Sequence, residues 1–156
     1  MNIEKYNFTL LAMKQTRIRL LKIIDTHSIE EINRIPKGFN NNLIWNFVHT
    51  IVTQQLLCYS LSGLKPIISS DVIDAYRKGS KPGKDVDEQT LVAYKKMAFD
   101  TLDQFELDIE EGIFKEYKPY ETSFGLTLNN FKEASHFNLA HETLHLGIMM
   151  SMRKVL

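Results

Sequence analysis

Between Leu43 and Leu57 the chain carries Leu43, Ile44, Trp45, Phe47, Val48, Ile51, Val52, Leu56 and Leu57, an apolar set that covers most sides of a helix rather than one stripe. A helix of that kind cannot rest on a surface, because water would meet hydrocarbon whichever way it turned. It has to be enclosed, so the pattern predicts a buried central helix over roughly residues 41 to 63 with other helices packed around it. The asparagine run Asn40 to Asn42 supplies N-cap candidates, and Gly63, with Pro66 just beyond, supplies the stop.

The enclosing elements follow from the rest of the chain. Residues 4 to 25 place Phe8, Leu11, Ile18, Leu21 and Ile24 at mostly three- and four-residue intervals with lysines and arginines between them, which predicts a first amphipathic helix with those five facing inward. Ile35-Pro36-Lys37-Gly38 separates it from the central helix. Residues 64 to 87 read as a crossover holding a short helix, Asp71 to Lys78 behind Ser69 and Ser70, and then the turn Gly79-Ser80-Lys81-Pro82-Gly83. Residues 87 to 110 return to helical spacing through Leu91, Tyr94, Ala98, Leu102 and Phe105. A loop carrying Phe114, Tyr117, Tyr120 and Phe124 leads to a last helical region over about 127 to 154, with a break expected near His136 to Asn138. No strand is expected. The fold class read from this pattern is all-α with four main helices, in a single domain spanning residues 1–156.

Charge and cysteine content narrow the function classes. Lysine plus arginine and aspartate plus glutamate number 19 each, so no net field draws the chain onto nucleic acid or an anionic membrane, and neither partner is expected. Cys58 is the single cysteine and lies in an apolar run, where a reduced buried thiol is the simple reading. The first residues lack the basic start and apolar stretch of a secretion signal, and no segment reaches the roughly 18 to 20 apolar residues of a membrane span, so a cytoplasmic protein is expected.

The chemistry concentrates in His141-Glu142-Thr143-Leu144-His145, whose two imidazoles, four residues apart, project from one face of a helix and can reach a common ion. The string also satisfies the zinc-protease pattern H-E-x-x-H. Only eleven residues follow His145, however, and none is His, Asp or Glu, so the downstream ligand of such proteases has no counterpart. A third ligand has to come from upstream, and His49 shares its helix face with Trp45, Val52 and Leu56. An isolated core histidine is more often neutral with one hydrogen-bond partner. Three inward-facing imidazoles are different, since each bears a desolvation cost that one divalent metal relieves at once. Nitrogen-only ligation suits zinc, nickel, cobalt, copper or iron(II). Glu142 is read either as an acceptor behind the ligands, as a base beside the metal, or as a solvated surface carboxylate. Gly79 to Asp85 superficially resembles a phosphate loop but is one residue short between its glycines and ends in Asp, so it is read as a turn.

Trp45-Asn-Phe-Val-His49 followed by Gln54-Gln55-Leu, then Tyr76-Arg-Lys-Gly-Ser-Lys-Pro82, Thr122-Ser-Phe-Gly125 and His141-Glu-Thr-Leu-His-Leu-Gly147 together resemble the DinB-like (YfiT-like) superfamily over nearly the whole chain. The resemblance implies an up-down-down-up four-helix bundle with a long crossover between helices two and three. It also implies a nickel or zinc ion, with iron, cobalt or manganese as further candidates, held by His49, His141 and His145, and a homodimer. Relatives include metal-dependent transferases that activate low-molecular-weight thiols and others described as hydrolases. This chain departs from many relatives at Leu144, where they carry another histidine, and at Gly147-Ile148, where they carry Gly-Gln. The implied function is activation of a thiol or water against a small-molecule substrate, the alternative being a non-catalytic metal-binding dimer.

Overall fold

The computed structural model describes residues 3–156, with side chains from Phe8 onward. It is mostly helical. Six α-helices occur among the described residues: α1 (Ile3–Asp25), α2 (Ile29–Asn33), α3 (Leu43–Gln54), α4 (Ser70–Tyr76), α5 (Glu88–Glu111) and α6 (Phe131–Met152). The long helices α1, α3, α5 and α6 enclose the core. α6 packs against both α1 and α3, and α5 packs against the same two.

Side-chain caps set the helix ends. Asn42 Oδ1 accepts from the Trp45 amide at 2.9 Å and starts α3, while Asp87 Oδ1 accepts from the Thr90 amide at 2.8 Å and starts α5. The short α2, absent from the sequence reading, is started by a reciprocal capping box between Ser28 and Glu31. Its far end is tied down as well: the Asn33 side chain exchanges two 2.9 Å bonds with the Val86 backbone and so pins the crossover to the bundle.

The predicted central helix over 41 to 63 is one continuous rod of changing pitch. α3 runs on through a π-helical turn at Gln55–Tyr59 and a 3₁₀ turn at Ser60–Ser62, then ends at Gly63, whose φ of 72° lies in the left-handed region that glycine adopts without strain. Eleven of the twelve α3 residues are buried, as its composition required.

Three expectations need correction. The first concerns α1, where Phe8, Leu11 and Ile18 are 76%, 55% and 47% exposed. The buried face is Leu10, Met13, Arg17, Leu20 and Ile24, a regular three-four alternation that the charge at its centre disguises. Arg17 is fully buried because Glu142 neutralises it across the core. The second concerns α6, which is unbroken from Phe131 to Met152. Asn138 sits fully buried where a break was expected, and its amide donates to Glu142 Oε1 at 2.9 Å, so the helix keeps its geometry with this donor satisfied one turn away. The third concerns the stretch before α6. Tyr120–Glu121 (β1) and Thr127–Leu128 (β2) pair antiparallel, Tyr120 opposite Leu128, in a minimal hairpin braced by Thr122 Oγ1, which donates to the Leu126 carbonyl.

Candidate metal centre

His49 comes from the middle of α3, and His141 and His145 come from successive turns of α6, the helix packed against it. Each offers one ring nitrogen, and the three nitrogens lie within 4.8 Å of one another. Ring centroids are separated by 5.1 Å (His49 to His141), 4.8 Å (His49 to His145) and 4.5 Å (His141 to His145).

The surroundings fix which nitrogen is free. His49 Nδ1 lies 2.7 Å from the Tyr76 carbonyl at the end of α4; a carbonyl only accepts, so Nδ1 carries the proton and Nε2 keeps its lone pair. His145 Nδ1 lies 2.8 Å from Asn46 Oδ1. The Asn46 amide donates in turn to Asn41 Oδ1 and to the Asn42 carbonyl, both at 2.8 Å, which orients its oxygen toward the ring and leaves His145 Nε2 as the acceptor nitrogen. Trp45 stacks on His49 with centroids 4.5 Å apart and planes 12° from parallel, and its indole donates to Ser80 Oγ at 3.0 Å. Two of the three rings are thus held in a single tautomer and orientation by the groups behind them, the usual support of a metal-ligating histidine.

Burial keeps all three rings neutral. It lowers the His49 pKa below the ordinary 6.5, and the same desolvation, with the neighbouring imidazoles adding repulsion, takes His141 to about 3 and His145 to about 4. Neutral imidazole is the ligating form.

The donor set fits a divalent ion. His141 Nδ1 is buried with no hydrogen-bond partner among the described residues, and a metal–nitrogen bond would satisfy it. Ligation at about 2.1 Å spaces tetrahedral nitrogens about 3.4 Å apart, so closing the set asks for ring movements of roughly an ångström. Three histidines leave further coordination positions open.

The centre borders a cavity of about 400 Å³. Its walls are mostly apolar, built from Leu56, Leu57, Leu61, Phe124, Phe137 and Leu144, and the three histidines line one side. The wide turn after α3 brings Leu56, Leu57 and Leu61 to this wall, and the β1–β2 hairpin brings Tyr120 and Phe124. Thr53 Oγ1, one helical turn from His49, lies 3.3 Å from its Nε2 and faces the same space.

Glu142 does not share that space. It is fully buried on the other side of α6, with Oε1 accepting from Arg17 Nη2 and from Asn138 Nδ2, both at 2.9 Å, and Oε2 accepting from Arg17 Nε at 3.3 Å. Arg17 Nη1 also donates to the Ala98 carbonyl at 2.7 Å and Thr101 Oγ1 at 2.8 Å. One residue past His141 is about 100° around the helix, enough to turn the carboxylate from the cavity into the bundle core. Both its oxygens are engaged there, so the readings of Glu142 as a base, as an acceptor behind the ligands or as a solvated carboxylate are replaced by that of a core ion pair. His136 is exposed, and His27 Nδ1 sits 2.7 Å from the Ile23 carbonyl at the end of α1, so neither joins the cluster.

Sequence reasoning missed Asn46 and Tyr76 as supports of the centre, and Thr53 as a hydroxyl beside it. For Asn46 a signal existed: it stands between Trp45 and Phe47 in a segment whose composition already required burial, and a buried amide needs partners. The Tyr76 contribution is a backbone carbonyl, to which the side chain gives no clue. No helix among the described residues is long and apolar enough to cross a membrane.

The family model of the DinB superfamily matches residues 12–149. A search of curated proteins finds no match for the chain.

Proposed function

Since the chain belongs to the DinB superfamily, we propose that it is a metal-dependent enzyme in which His49, His141 and His145 hold one divalent ion and a small molecule reacts in the adjoining cavity. The observation that carries this reading is the convergence of three neutral imidazoles, two with tautomers set from behind, on the wall of an apolar cavity. When bound, the ion supplies the Lewis acidity that makes a thiol or a water nucleophilic near neutral pH. The protein's own part is to keep the rings unprotonated, to hold His49 through Tyr76 and His145 through Asn46, and to exclude water with Leu56, Leu57 and Phe137.

Within this reading the nucleophile is a low-molecular-weight thiol, with hydrolysis as the related alternative, and the ion is nickel or zinc ahead of iron, cobalt or manganese. The same reading includes an up-down-down-up order for α1, α3, α5 and α6, with the long crossover between α3 and α5, and a homodimeric, cytoplasmic protein. A purely structural ion tying α3 to α6 is the competing role; it gives no reason for a cavity beside the ligands. Elemental analysis of the purified protein and of His49→Ala tests the centre, with about one ion per chain expected in the first and close to none in the second. Chelation then separates the roles. An enzyme loses thiol transfer to a small electrophile while its helical signal persists, whereas melting of the bundle on chelation would refute the catalytic assignment.

A further inference from the structure

Among the described residues, the cavity beside the histidines has one charged rim residue, Lys78 in the turn after α4, and is lined by no aspartate or glutamate. Its neighbour Arg77 is paired with Asp74 at 3.2 Å, but Lys78 has no ion pair and no side-chain hydrogen bond among the described residues. That ammonium is therefore the charged side chain an incoming molecule meets at the rim, and a divalent ion held by the histidines would add charge of the same sign. Besides the imidazoles, the polar side chains of the lining are hydroxyls; that of Thr122 is engaged within the hairpin, while those of Thr53, Ser60, Ser123 and Tyr120 carry no charge that would repel an anion. Opposite them lie Leu56, Leu57, Leu61, Phe137 and Leu144, which offer only hydrocarbon.

We propose that the cavity selects a small organic anion, its apolar body against the leucine and phenylalanine wall and its anionic group at Lys78. Selection works in both directions. An anion gains a partner at the rim, while an ammonium compound would meet the exposed, unpaired Lys78 there with no carboxylate of the lining to receive it. The inference rests on the reading of the cavity as the substrate pocket, and names the substrate class that pocket takes.

The test uses the metal-loaded protein and three probes of equal chain length: octanesulfonate, octanol and octylammonium. Sulfonate is chosen because it ligates metals poorly, so binding at the ion does not imitate binding at the lysine. Titration calorimetry should rank octanesulfonate first and octylammonium last, and the octanesulfonate affinity should fall as salt is raised. Lys78→Met should weaken octanesulfonate about threefold to fivefold, the range of a single partly screened charge contact, while leaving octanol within twofold. Lys78→Arg should restore the anion preference. Equal affinity for octanesulfonate and octylammonium, no effect of Lys78→Met, or no binding of octanesulfonate at millimolar concentration would each overturn the proposal. Cobalt(II) uptake followed by visible absorption in the same samples keeps the two readings apart. Loss of cobalt uptake with the Lys78 effect intact removes the metal assignment alone, and normal uptake without a Lys78 effect removes the anion assignment alone.

Discussion

Replacing Arg17 by methionine removes one half of an ion pair whose two side chains are both fully buried, and it leaves the Glu142 carboxylate with Asn138 as its one remaining partner. The wild-type guanidinium makes four bonds between 2.7 and 3.3 Å, two to Glu142 and one each to the Ala98 carbonyl and Thr101 Oγ1. Breaking a buried pair from one side strands a charge in a low-dielectric core and costs about 3–5 kcal/mol. At about 2–4 °C per kcal/mol for a chain of this length, the thermal midpoint should drop by roughly 10 °C. Glu142→Met should cost a similar amount, since the arginine is stranded instead. The double variant Arg17→Met/Glu142→Met removes both charges and fills the space with hydrocarbon, so it should return to within about 2 kcal/mol of wild type. Urea unfolding followed by far-ultraviolet circular dichroism measures all four proteins. The double variant should also keep its metal, because Glu142 lies outside the cavity. A single variant within 1 kcal/mol of wild type, a double variant as unstable as the sum of the singles, or loss of metal in the double variant would each refute the reasoning.

Asn46→Ala removes the acceptor behind His145 Nδ1 and should weaken metal affinity about 10- to 100-fold without abolishing it, as read by competition with a coloured chelator. His145→Ala should lose the ion outright while keeping the helical signal, which elemental analysis with circular dichroism checks. Stability of the metal-free protein should fall as pH drops from about 6.5 toward 4. His141 and His145 take up protons only near 3 and 4 when folded, so in that window the unfolded chain binds protons that the folded chain refuses. The slope reaches at most about 1.4 kcal/mol per pH unit for each histidine and is recorded by urea midpoints at stepped pH. An unchanged midpoint between pH 6.5 and 4.5 would show that these rings are not held neutral.

The legible parts of this protein are the ones written in local spacing. A segment apolar on most sides has one place to go, and all of α3 but Thr53 is buried. Leu91, Ala98, Leu102 and Phe105 mark the inner face of α5 because their intervals match the helical repeat. The i, i+4 pair His141 and His145 and the shared face of Trp45 and His49 are equally local, so the candidate ligands could be named before any coordinates. What spacing could not reveal is which polar groups find partners far away in the chain. Arg17 looks like a surface residue until Glu142, 125 positions later, makes it a core residue and changes the face that α1 buries. Asn46 acquires a role only through His145, 99 positions on, and Lys78 acquires one only because α4 delivers its turn to the same cavity as α6 and the hairpin. Periodicity is a property of one helix and survives in the sequence; desolvation is a property of the space between helices, and the cost of burying a charge or an imidazole is decided only when the fold supplies or withholds its partner.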